Sequence, residues 1–69
     1  MESLTQKQKD ILDYIIWHVE ANGFPPALTD IVKRFNFKSN NSPRIHLKAL
    51  VKKGKIKIHF GVARGIQVL

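Results

Sequence analysis

Cysteine is absent from the 69 residues, and with it any disulfide framework or thiolate metal site. That absence fits a reducing compartment, so the expectation is an intracellular, soluble protein. No apolar run approaches the roughly 18–20 residues that a membrane-spanning helix needs. The opening Met1-Glu2-Ser3-Leu4-Thr5-Gln6 lacks the basic start and apolar stretch of a secretory signal. Internal repeats, low-complexity tracts and linkers are missing too, and residues 1–69 are expected to form one domain. The constellations of catalysis are also lacking. Glu2, Asp10, Asp13, Glu20 and Asp30 show no convergent carboxylate pair, and no glycine-rich phosphate loop or nucleophile motif occurs. His18, His46 and His59 lack the short spacing of a zinc pair. The expectation is a protein that is not an enzyme, with no metal site, no cofactor, no small-molecule substrate and no membrane partner.

A further absence is confined to one half of the chain. All five acids lie within residues 1–30, whereas ten of the twelve bases follow residue 30: Lys33, Arg34, Lys38, Arg44, Lys48, Lys52, Lys53, Lys55, Lys57 and Arg64. The net charge of +7 is therefore concentrated in an acid-free second half. Such an asymmetry points to a polyanionic partner, nucleic acid first. An anionic membrane surface fits less well, because the bases do not follow one long amphipathic helix.

What is present is apolar periodicity. Thr5 with Gln8 has the form of a capping box, Leu4 stands before it as a staple, and a helix is expected over about 6–21. Ile11, Leu12, Ile15, Ile16 and Val19 recur along it at helical spacing, while Tyr14 and Trp17 read as packing or rim residues. Asn22-Gly23 supplies a left-handed stop and Pro25-Pro26 forbids continuation. Leu28, Ile31, Val32 and Phe35 mark a second helix, with Asp30 near its start and Asn36 able to end it. A third begins among Ser39, Asn40, Asn41 and Ser42, all competent N-caps, and runs to Lys53 with Gly54 closing it. The period then changes to two. Ile56, Ile58 and Phe60 alternate with Lys55, Lys57 and His59, residues 61–65 turn, and 66–69 return as a second strand. The expected fold class is α+β: a three-helix winged helix-turn-helix with a C-terminal β-hairpin wing.

Winding the third helix at about 100° per residue puts Pro43, Leu47 and Leu50 on one side, flanked by His46 and Val51. Asn41, Ser42, Ile45, Lys48, Ala49 and Lys52 fall on the other. Short polar groups come first and lysines later, an order that suits a helix (about 41–53) entering the major groove of double-stranded DNA by its N-terminus. Candidate base readers are Ser39, Asn40, Asn41, Ser42, Arg44 and Ile45. Asparagine pairs with adenine, arginine forks onto guanine, and an exposed alkyl group meets a thymine methyl. Candidate phosphate binders are Lys38, Lys48, Lys52, Lys53, Lys55, Lys57 and Arg64. The alternative is a winged-helix protein-interaction module docking an acidic partner, against which stands a face rich in lysine and poor in aromatics.

Leu4-Thr5 with Gln8, Gly23-Phe24-Pro25-Pro26, Ile31, Phe37, His46-Leu47-Lys48-Ala49-Leu50, Lys53-Gly54 and Arg64-Gly65-Ile66 together resemble the N-terminal DNA-binding domain of the LexA SOS-repressor family. The resemblance covers the whole chain. It implies a repressor of DNA-damage genes in the bacterial cytoplasm and nucleoid, binding half of a palindromic operator. It also implies a homodimer on DNA, held mainly by a C-terminal domain with a self-cleaving Ser/Lys dyad that lies beyond this chain and falls on none of its residues. The sequence departs from the family pattern in places. Arg44-Ile45 stand where an acidic pair is expected, which implies an altered operator preference. Pro43 replaces a small residue and Asn36 a glycine. Ala27 stands where a hydroxyl usually caps the second helix, leaving Thr29 as a poorer substitute.

Overall fold

The computed structural model describes residues 3–59, 61–62 and 64–69. Phe60, expected in the first strand, and Ala63, expected in the turn, lie outside the described residues. Three helices, α1 (Gln6–Asn22), α2 (Leu28–Phe35) and α3 (Asn41–Lys52), precede two strands, β1 (Ile56–Ile58) and β2 (Ile66–Val68). This is the α+β winged helix-turn-helix arrangement that the periodicities imply.

Each boundary has a local cause. At the start of α1, Thr5 Oγ1 accepts from the Gln8 N–H at 3.2 Å and Gln8 Oε1 accepts from the Thr5 N–H at 3.1 Å, completing the capping box. Gly23, at φ 82°, ends the helix and donates to the Val19 carbonyl. At α2 the expectation of Thr29 as a substitute cap needs correction. Ala27 has no side-chain oxygen to offer, and the Asp30 carboxylate instead accepts the Ala27 N–H at 2.9 Å. Asn36 then takes the left-handed conformation, φ 58°, and Phe37 donates to the Val32 carbonyl.

The start of α3 also differs from expectation. None of the polar residues 39–42 supplies the expected cap: Asn40 precedes the helix with φ −69° and ψ −17°, and its side chain makes no capping bond. With its backbone already helical, that side chain is not curled over the first-turn amides. Pro43, in the first turn, has no amide proton to satisfy. The far end is closed conventionally. Gly54, at φ 74°, donates to the Val51 carbonyl and Lys55 donates to the Leu50 carbonyl, the paired bonds of a Schellman motif.

The strands pair antiparallel, Ile56 opposite Val68 and Ile58 opposite Ile66. Bonds from His59 N–H to the Gly65 carbonyl and from Leu69 N–H to the Lys55 carbonyl extend the ladder at both ends. Gly65 is dictated by proximity, because a Cβ there would overlap the His59 carbonyl.

Ile11, Ile15, Ile31, Leu47, Leu50 and Ile56 form the buried core, drawn from all three helices and the first strand. Leu4, Tyr14, Phe35, Phe37, Ile66 and Val68 pack around it. A clasp on the surface joins the hairpin turn to the start of α2. Arg64 donates to Asp30 Oδ2 and to the Pro25 carbonyl, each at 3.0 Å, with its guanidinium 4.7 Å from the Phe24 ring centre. The Ala27 N–H chiefly, with Arg64 adding to it, holds the Asp30 carboxyl below its ordinary value of 3.8, against an opposing effect of desolvation.

Three outcomes follow from these contacts. Ile15→Ala, at a fully buried position, should cost about 2–5 kcal/mol. That is comparable to the roughly 3–5 kcal/mol of net stability available to so small a domain, so urea titration should find the variant largely unfolded. Ile45→Ala should leave the midpoint nearly unchanged, since Ile45 is 70% exposed. Because Asp30 ionises more readily folded than unfolded, its contribution is complete above about pH 4 and is lost as pH falls through the depressed folded value. Asp30→Asn should therefore be less stable than the parent near neutrality, and the gap should close under acid conditions; a gap independent of pH would contradict this.

Candidate nucleic-acid interface

The packing of Leu47 and Leu50 fixes how α3 is rotated. Their burial turns Asn41, Arg44, Ile45, Lys48 and Lys52 outward, all exposed, with Ser42 and Ala49 half-buried beside them. Ser39 and Asn40, in the turn leading into α3, are exposed, and so is Lys38 before them. The structure thus brings Ser39, Asn40, Asn41, Ser42, Arg44 and Ile45 together around the N-terminal end of one helix. An exposed isoleucine here has no core to enter. His46 on the inner flank stacks on Phe37 with ring centres 5.9 Å apart, which accounts for it as a packed histidine.

The hairpin lies against the same helix. A groove of about 360 Å³ runs between them, with Arg44, Leu47 and Lys48 on the helix side and Ile58, Val62 and Ile66 on the hairpin side. Arg44 and Lys48 therefore stand on the wall facing the wing. Helical periodicity alone did not show this, because it depends on where the hairpin folds back. Lys55 and Lys57 are exposed on the hairpin. Lys57 is paired with Gln67, whose Oε1 accepts from His59 Nε2–H at 2.8 Å. Val62, 60% exposed at the turn, is a further apolar group that the sequence reading did not single out.

Two predicted phosphate binders have other partners. The Lys53 ammonium donates to the Ser3 carbonyl at 2.9 Å and to Gln8 Oε1 at 2.8 Å, tying the end of α3 to the start of α1. Arg64 is held in the clasp with Asp30. No local pattern signals either bond, since the partners are 34 to 50 residues apart in sequence. Arg64–Asp30 is the only ion pair among the described residues. The charges of Lys38, Arg44, Lys48, Lys52, Lys55 and Lys57 are thus not neutralised by any described carboxylate.

The surface offers short hydrogen-bonding side chains, one alkyl group and a surround of cations. Among the described residues, no three His, Cys, Asp or Glu side chains could together hold a metal ion. No helix among the described residues is long and apolar enough to cross a membrane.

Residues 1–65 match the family model of the LexA DNA binding domain. The chain is 45% identical over 69 residues to the LexA repressor of Histophilus somni (strain 2336), covering all of this chain and 33% of that protein. It is 42% identical over 66 residues to the LexA repressor of Actinobacillus pleuropneumoniae serotype 5b (strain L20), 96% of this chain and 31% of that one. The LexA repressor of Sodalis glossinidius (strain morsitans) is 42% identical over 69 residues, all of this chain and 34% of the relative. The chain spans about a third of the length of these curated relatives, and the matched region is the DNA-binding part rather than a catalytic one. An outward-facing polar helix start, a cationic hairpin beside it and this match over nearly the whole sequence agree: the chain belongs to the LexA DNA-binding domain family.

Proposed function

We propose that this domain reads a half-site of double-stranded operator DNA as the DNA-binding head of a LexA-like transcriptional repressor. The observation that carries the reading is the N-terminal end of α3. Short polar side chains and a 70% exposed Ile45 project there, with no side-chain cap from Asn40, flanked by cations that lack described acidic partners. Asn41, Ser42 and Ile45 would meet base edges in the major groove, Ile45 against thymine methyls, with Ser39 and Asn40 at its edge. Arg44, on the wall facing the hairpin, could reach either a guanine or the backbone strand between helix and wing. Lys38, Lys48, Lys52, Lys55 and Lys57 would bind phosphates. Lys53 and Arg64 would join them only by leaving their present partners.

A single module of this size buries little surface on DNA, so the head alone should bind weakly. Two copies on a palindromic operator would supply the rest, as a homodimer held by the part of the protein beyond this domain. Such a repressor would act in the bacterial cytoplasm, on the nucleoid.

With five lysines on phosphates, log affinity should fall with log salt at a slope of roughly −4 to −5. A flat dependence, read by fluorescence anisotropy on a short duplex, would remove the electrostatic part of the proposal. After selection of a preferred site from random duplexes, Ile45→Ala and Asn41→Ala should each lose about 1–3 kcal/mol on that site and little on random DNA. Equal losses on both would show that these residues do not read sequence. No shift of any duplex, beside retention by an acidic partner protein, would favour a protein-docking module instead.

A further inference from the structure

A second surface is built from α1 and α2. Asp10, Asp13, Tyr14 and Trp17 on α1 face Arg34 and Phe35 on α2 across a groove of about 710 Å³. No described residue of α3 or the hairpin lines it, so it is distinct from the proposed DNA face. Trp17 is 58% exposed on its rim, a large apolar area to leave in water for a chain with so few core residues.

The aromatic rings around it show what they accept. Arg34 stands 5.8 Å from the Tyr14 ring centre and 5.3 Å from that of Phe35, and Lys7 stands 5.6 Å from Phe35. Trp17 offers the best cation-binding ring of all, yet no cation stands over it among the described residues. Tyr14 stacks beside it at 6.0 Å, leaving ring surface open. Asp13 is exposed on the same groove, and among the described residues Asp10 accepts one side-chain bond, from Gln6 Nε2–H to a single carboxylate oxygen. Arg34 is engaged on Tyr14 and Phe35, and the open Trp17 ring with two carboxylates at its edge is the complement of a further arginine side chain.

We propose that this groove docks an arginine-bearing segment of a partner protein, the guanidinium lying on Trp17 and paired with Asp13 and Asp10. Exposed tryptophan and tyrosine are the residue types that dominate such interfaces. The occupant is set by charge: the groove's two carboxylates outnumber its one lining cation, Arg34, so a basic segment fits it, while the cations of α3 and the hairpin stay available for DNA.

Trp17 is the only tryptophan, so its emission reports on the groove directly. The 69-residue chain, free of DNA, is titrated with a short capped peptide of arginine, leucine and glycine, and separately with its glutamate-for-arginine counterpart. The arginine peptide should produce a saturable emission change and the glutamate peptide none. In D10N/D13N, which keeps Trp17, the affinity should fall roughly tenfold, the combined size of two exposed ion pairs. Circular dichroism should match the parent; Asp13→Asn alone, at an exposed position, serves if the double variant unfolds. Trp17→Ala, followed by calorimetry, should abolish binding. No saturable change, unchanged affinity in the aspartate variants, or binding retained without Trp17 would each overturn the proposal. So would an emission change on concentrating the chain alone together with dimers in sedimentation, which would name a second copy as the occupant.

Discussion

Leu47 and Leu50 set everything else. With Ile11, Ile15, Ile31 and Ile56 they form one cluster that fixes α3 in place and in rotation. A helix of 12 residues is marginal in isolation, so α3 owes its persistence to this contact more than to its own propensity. Each such side chain contributes on the order of 1.5–3 kcal/mol by leaving water. Once that side is buried, the 3.6-residue repeat leaves Asn41, Ile45, Lys48 and Lys52 no direction except outward. The chemistry of the proposed reading face is thus specified by residues that never touch the ligand.

The same cluster explains why the hairpin lies beside that face. Ile56 is buried against α3, and antiparallel pairing brings Ile66 and Val68 in behind it. The strand's alternation then sends Lys57 to the exposed face. Gly54, with its two backbone bonds, redirects the chain between helix and strand in a single step, so the cations of α3 and those of the hairpin occupy one region.

Much of this was legible because the signals are local. A capping box at Thr5 and Gln8, left-handed stops at Gly23 and Asn36, and the change of period after Gly54 each depend on residues within one turn of one another. The candidate base readers were legible for the same reason, since which side of a helix a residue occupies is arithmetic. What the sequence hid were choices between competing partners. Asp30 accepts the Ala27 amide because Ala27 brings no oxygen, and Asn40 does not cap because its backbone is already helical. Lys53 and Arg64 looked like any other cation of a basic tail. Their assignment turns on contacts between opposite ends of the chain, which composition and spacing do not encode.

One of those contacts has a consequence for the first turn of the protein. Gln8 Oε1 accepts from both the Thr5 amide and the Lys53 ammonium, and the Ser3 carbonyl takes a second bond from that ammonium. Ser3 and Gln8 therefore tether the end of α3 to the start of α1. Removing residues through Thr5 would strip α1 of its cap and leave the Lys53 ammonium with one of its two partners, so a single cut would loosen both helices.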